Sequence, residues 1–442
     1  MKMILISLLT LVMALKTGQA NVGTGENIAE YNAVCELIML AIASPKAPEL
    51  ANAAEADYNK LMKLNMTLAP SWWIDMFFKN GDKQYPHNDP KAAGINHNNW
   101  DGMWPKWLQL ATELKTETKN AAAEEFNLHK VSDTQRQAAA ALIRPIAARA
   151  HKIFMSIPAD VADPGKLAPD AISKTLNTAA FGEDALAAGN PKPNKVFAGN
   201  VDSTARATLC EIGTGNSKTA TALAALACLC HKAHATAQED VCGQAVTQSA
   251  TWQSTTAGPT ATDLKTLYES CGHTAVTELT SNTLRTAIDR IRRLVKVKSG
   301  DGYLGAFKSG CTGANTAGIC VKLTGYKAGK EETLKKAPWI DILLQLAGSL
   351  AVREQHNAAD DQANHLLKLA ITEAHEISTS LVSKIQSITT MPAPNSDKTV
   401  EQPTKCKSPA ESADKCPHSD CVYNITTKEC KPKTGAETTA RT

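Results

Sequence analysis

Aromatic residues are scarce in this 442-residue chain, at 5 % of the total, while alanine and threonine are plentiful. That composition builds helix bundles with small seam residues more readily than wide sheets. Surplus charge is also nearly absent. A formal +3 over the whole chain gives no electrostatic reason to expect nucleic acid. After residue 20 no apolar run is long enough to span a membrane. There is no Gly-x-Ser-x-Gly nucleophile elbow. His375-Glu376 lacks the second histidine of a zinc-protease helix, because Thr379 stands there.

The first twenty residues set the compartment. Lys2 supplies a positive start, Met3 to Ala14 is apolar apart from Ser7 and Thr10, and Gly18 and Ala20 are small. This reads as a signal peptide over 1–20, cleaved before Asn21. All twelve cysteines follow it: Cys35, Cys210, Cys228, Cys230, Cys242, Cys271, Cys311, Cys320, Cys406, Cys416, Cys421 and Cys430. In a secreted chain an even set reads as disulfides rather than metal ligands. Eight in a large domain allow 105 pairings and four downstream allow three, so the pairing stays open. Asn65-Met66-Thr67 and Asn424-Ile425-Thr426 are N-glycosylation acceptors, at Asn65 and Asn424.

Periodicity predicts a mostly α fold. Ile28, Tyr31, Cys35, Ile38 and Ile42 recur at steps of three and four, and Ala51 to Leu64 resumes the pattern after Pro45 and Pro48. Residues 70–104 read as irregular and tryptophan-bearing. A long helix is expected from Pro105 towards Met155, with a kink at Pro145. Residues 208–320 read as a cysteine-rich insertion with helical pieces at 219–232, 261–271 and 274–297. A second long helix covers Pro338 to Ile388, 51 residues with no internal proline, which would reach roughly 75 Å. Its seam runs through Leu367, Ala370, Ala374, Ile377, Leu381, Ile385 and Ile388, and its middle, Arg353 to Asn364, is polar. The domain plan is therefore a helical domain over 21–390, a linker at 391–405, a four-cysteine domain at 406–430 and a polar tail at 431–442. About 25 residues cannot fold on an apolar core alone, so the small domain needs its disulfides.

Several motifs are weaker than they look. Gly300-Asp301-Gly302-Tyr303-Leu304-Gly305 matches a dinucleotide fingerprint, but no βαβ unit surrounds it. Gly213 to Thr219 lacks the spacing of a phosphate loop. Cys228, Cys230, His231, His234 and Cys242 have zinc-like spacing, which the secretory compartment turns towards disulfides. Cys228 and Cys230 are expected to face different partners. His356 and His365 read as solvated or seam-edge residues on the second long helix, Asp360-Asp361 as a solvated pair, and Arg290 to Lys298 as a solvated basic face. No nucleophile, base and orienting group come together, so neither enzyme activity nor a cofactor or metal is expected.

The chain resembles a trypanosome variant surface glycoprotein over essentially its whole mature length. The resemblance rests on Tyr31-Asn32-Ala33-Val34-Cys35-Glu36-Leu37, and on Cys228-Leu229-Cys230 with Cys242-Gly243. It rests also on the cluster Lys405-Cys406-Lys407, Lys415-Cys416, Cys421-Val422-Tyr423 and Glu429-Cys430-Lys431. The Cys-Leu-Cys element is similar to the B-type N-terminal domain. The resemblance implies an elongated bundle or coiled coil of two long antiparallel helices, a disulfide-braced lobe and a small disulfide-rich C-terminal domain. It implies a homo-oligomer, dimer or trimer, forming a dense coat that evades host antibodies by antigenic variation. It also implies attachment to the outer face of the plasma membrane by a glycosylphosphatidylinositol anchor. The alternative is a receptor of the same fold for a host serum protein, such as a transferrin or haptoglobin–haemoglobin binder. Such proteins carry an apolar anchor signal after the small domain. The residues to Thr442 contain none, so the expectation is an incomplete reading frame, or a secreted product if the chain ends there.

Overall fold

The structure is a computed structural model. It describes residues 21–79, 84–96, 100–116, 121–186, 189–213, 217–231, 238, 240–243, 252, 257–389, 421–424, 426–427 and 429–432. The chain divides into two compact units, Met1–Ser378 and Thr379–Thr442.

The first unit is mostly helical. Helices α1 (Ile28–Ala43) and α2 (Ala53–Leu68) are separated by the segment carrying Pro45 and Pro48, with Ser44 in the left-handed region ending α1. A five-residue α3 (Ser71–Asp75) turns off Pro70. The expected helix from 105 to 155 comprises α4 (Trp104–Thr116), α5 (Ala121–Glu125) and α6 (Asp133–Phe154), with a break between the last two. Local chemistry explains that break. Asn127 adopts φ 57° after α5, and Ser132 restarts the helix with a capping box to Gln135. Pro145 lies inside α6 without ending it.

Next come α7 (Pro169–Phe181), α8 (Pro193–Val196), α9 (Arg206–Leu209), β1 (Glu211–Ile212), α10 (Ala222–Cys230), α11 (Ala261–Glu269) and α12 (Ser281–Leu294). Three strands follow: β2 (Lys296–Lys298), β3 (Asp301–Phe307) and β4 (Gly318–Leu323). The sheet order is β1-β4-β3-β2, with β1 parallel to β4 and the other pairs antiparallel. The long helix α13 (Pro338–Thr389) closes the helical series.

The core is centred on α10. All nine residues of its sequence ALAALACLC are buried, as befits a helix that is apolar all round. It packs against α1, α7, α11 and β4. Its alanines let those backbones approach closely. The few aromatics are concentrated: Trp73 lies 5.2 Å from Trp100 and 5.5 Å from Trp107, ring centre to ring centre. Phe77 lies 4.6 Å from Trp104. This cluster gives the irregular stretch between α3 and α4 a core of its own. Within α13, Ile340, Leu343, Ala347 and Leu350 are buried, and so are Leu367, Ala370 and Ala374.

The second unit contains a hairpin of β5 (Cys421–Asn424) and β6 (Glu429–Pro432), with Tyr423 opposite Cys430 and Asn424 opposite Glu429. The signal peptide, the linker, Cys406, Cys416 and the residues after Pro432 lie outside the described residues.

Candidate functional site

The eight cysteines of the first unit form four disulfides. Cys35–Cys271 joins α1 to the end of α11 across 236 residues of sequence. Cys210–Cys228 and Cys230–Cys242 fasten the two ends of α10's cysteine pair, across separations of 18 and 12. Two residues apart on a helix is about 200° of rotation, which sends Cys228 and Cys230 to opposite sides. Cys311–Cys320 closes a separation of nine, joining the turn before β4 to the strand itself. Among the described residues no group of three or more His, Cys, Asp or Glu is placed to hold a metal ion. His234 and 214–216 lie outside them.

The dinucleotide-like glycines belong to the β2–β3 hairpin. Ser299 and Gly300 take φ 53° and 87° at its turn, the paired left-handed geometry of a tight hairpin. A Cβ on Gly305 would come within 2.7 Å of Leu229 and 2.8 Å of the Ile319 carbonyl. Its glycine lets β3 lie on α10, and no helix N-terminus follows to receive a pyrophosphate. Asn27, fully buried, ties the same region together. It donates to the carbonyls of Leu229 and Ile319, at 2.9 and 2.8 Å, and accepts from the Ala306 amide at 2.7 Å.

The polar middle of α13 differs most from its sequence reading. Its residues continue the inward stripe, and they end other elements' backbone needs. Arg353 donates to both carboxylate oxygens of Asp160, at 2.9 and 2.7 Å, and to the Pro48 carbonyl at 3.1 Å. The His356 ring nitrogens lie 2.8 Å from the Pro158 carbonyl and 3.1 Å from that of Ala51. Asn357 accepts from the Ala51 amide and donates to the Glu49 carbonyl. Asp360, 2 % exposed, accepts from the Ala53 amide at 2.9 Å. It thereby caps α2, whose own Asn52 makes no side-chain cap. A carboxylate at a helix N-terminus satisfies orphan amides and the helix dipole together. Glu354 accepts from the Ser281 amide at the start of α12. So Asp360 and His356 are packed contacts, while Asp361 and His365 are exposed. His375 stacks on Phe126 at 4.4 Å. The hydrogen bond from Arg353 holds the Asp160 carboxyl below its ordinary range.

The basic stretch after Arg290 is mostly solvated. Arg292 and Arg293 pair with Asp289 on their own helix, and Arg290 with Glu36 of α1. A buried polar group passed unnoticed in the sequence. Arg206 lies 4.2 Å from the Trp252 ring and donates to the Cys228 carbonyl. Burial pushes its guanidinium down to about 9 and the His231 imidazole to about 4. The only hint in the sequence is Arg206 four residues before Cys210.

Asn65 sits within α2, half-buried, and its Thr67 is buried with its hydroxyl donating to the Lys63 carbonyl. Asn424 ends β5 at the hairpin turn, and Thr426 is exposed. Apolar side chains stand in the open on α13: Val352 at 39 %, Leu366 at 39 % and Leu369 at 56 % exposure. Among the described residues no helix is long and apolar enough to cross a membrane.

Comparison with known proteins agrees with the sequence resemblance. The family described as Trypanosomal VSG domain, of B type, matches residues 9–369. The chain is similar to the variant surface glycoprotein ILTAT 1.23 of Trypanosoma brucei brucei. The two are 25 % identical over 431 residues, covering 94 % of this chain and 79 % of that one.

Proposed function

This chain belongs to the B-type trypanosomal VSG domain family and is a surface coat protein, and on that premise we propose how it builds its layer. Copies associate through the outer face of α13. Val352, Ala359 and Leu366 recur at seven-residue steps, and Gln355, Gln362 and Leu369 fall between them on one stripe about 100° wide. The exposure of Val352, Leu366 and Leu369 is the observation that carries this reading, since a second copy would remove all three from water. The layer is held at the plasma membrane by a glycosylphosphatidylinositol anchor, and its variable loops meet host antibodies. The role is structural, without catalysis. Neither comparison favours the receptor alternative.

The seam has a direct test. Leu366→Glu with Leu369→Glu is expected to turn the oligomer into monomer in sedimentation velocity, with the helical circular dichroism unchanged. An oligomer that survives both charges would remove the seam from the proposal. Release of the protein from intact cells by phosphatidylinositol-specific phospholipase C tests the anchor.

Both acceptor asparagines are proposed as glycan sites, with unequal occupancy. Asn424 lies at a turn, where such acceptors are usually modified. Asn65 shares the helix face of Tyr58, Leu61 and Leu68, all buried, so its sugar must be attached before α2 folds. Glycopeptide mass spectrometry is expected to find higher occupancy at Asn424 than at Asn65; the reverse order would contradict this.

A further inference from the structure

A polar groove of about 700 Å³ lies where α3 turns away from α2 and meets α6. Trp72 forms one wall and Asp133, Arg136, Gln137, Ala140 and Arg144 the other. Three observations set it apart from ordinary surface. Trp72 is 65 % exposed, although its neighbour Trp73 is packed in the aromatic cluster. The Nε of Arg136 is buried and has no hydrogen-bond partner. No ion pair reaches the Arg136 or Arg144 guanidinium among the described residues, so neither charge is used by the fold.

The residue types define a ligand. Arg136, Ala140 and Arg144 follow at steps of four, each about 6 Å along one stripe of α6. Two guanidiniums separated by a small, buried alanine can grip a carboxylate while a ring lies on the floor between them. Guanidinium binds carboxylate through two parallel hydrogen bonds, which makes it a shape-selective partner. An indole offers a broad rigid face to the apolar C–H face of a pyranose. Asp133 and Gln137 supply acceptors for hydroxyl groups. Asp133 weighs more heavily against a phosphate-rich polyanion, which brings several negative charges where the sugar brings one and has fewer hydroxyls to donate to it.

We propose that this groove binds a carboxylate-bearing pyranose, as found at the end of an acidic glycan. The proposal does not depend on the oligomeric seam or the membrane anchor, since the groove is lined by the end of α2, the turn after it, α3 and α6.

The purified full-length chain should be titrated with 3′-sialyllactose, glucuronate, lactose and sodium sulfate at constant ionic strength. Saturation-transfer NMR and tryptophan fluorescence would report binding. The two acidic sugars are expected to bind, and lactose about tenfold more weakly or not at all. Trp72→Ala, and separately Arg136→Gln with Arg144→Gln, are each expected to weaken the acidic sugars by about tenfold. Trp72 and Arg144 are exposed, so melting curves should stay near the parent's and exclude misfolding as the cause. Equal binding of lactose and sialyllactose would overturn the proposal. So would displacement of the sugar by sulfate at equal concentration, or undiminished binding by the folded variants.

Discussion

Replacing Cys35 and Cys271 together by alanine is expected to cause the largest loss of stability of any disulfide deletion in the first unit. The pair closes 236 residues of sequence, whereas Cys311–Cys320 closes nine. On the chain-entropy account the longer closure contributes about 5 kcal/mol and the shorter about 3 kcal/mol. For a unit of this size the longer deletion should lower the melting temperature by about 7 °C, clearly more than the shorter. Position adds to length. Cys35 lies among the buried residues of α1, and its partner fixes the end of α11 over the same core. Calorimetry of the two double variants decides the matter. Equal drops would mean that strain or residual structure in the unfolded chain, rather than loop length, governs the effect.

Asp160→Ala is expected to destabilise the protein by about 3–5 kcal/mol, because it leaves the Arg353 guanidinium buried without its counter-charge. The Arg353 side chain is 8 % exposed and that of Asp160 12 %. The loss should be larger than the worth of the pair itself. Arg353→Met combined with Asp160→Leu should therefore recover at least about half of it, since no unpaired charge then remains. Chemical denaturation of the single and double variants gives the comparison. A double variant no more stable than Asp160→Ala would show that the Pro48 carbonyl, also left without its donor, dominates.

The same pair predicts an acid response. The folded-state carboxyl of Asp160 is held below its ordinary value of 3.8. Its contribution is thus present above pH of about 4 and is lost as pH falls through the depressed value. The parent should lose stability across that acid range more steeply than the Arg353→Met, Asp160→Leu variant.

The contrast between α10 and α13 explains what was legible in the chain. α10 is continuous apolar sequence ending in Cys228-Leu229-Cys230, and such a run has only one favourable place, the centre of the core. The stripe from Leu367 to Ala374 was equally readable, because period and burial coincide there. The interval from Arg353 to Asp360 was not. Its side chains look solvated in a linear reading, yet they satisfy amides and carbonyls some 70 to 310 residues distant. Periodicity detects apolar burial alone; a buried polar residue is recognisable only once its partner's position is known. The break between α5 and α6 was missed for a different reason. A capping box and one asparagine in the left-handed region act over a few residues, while the apolar pattern on either side continued.

By itself the sequence determined the disulfide-bearing, mostly helical character, because cysteine number and apolar period are properties of the chain alone. It carried the family resemblance too, through cysteine spacing. The tertiary structure decided which cysteine meets which. It turned a dinucleotide-like run into a hairpin packed on α10, and made the polar middle of α13 a grip on two distant loops. It also left Trp72 beside two unpaired arginines. Each of these depends on groups far apart in sequence, and their energies exist only after the chain has brought them together.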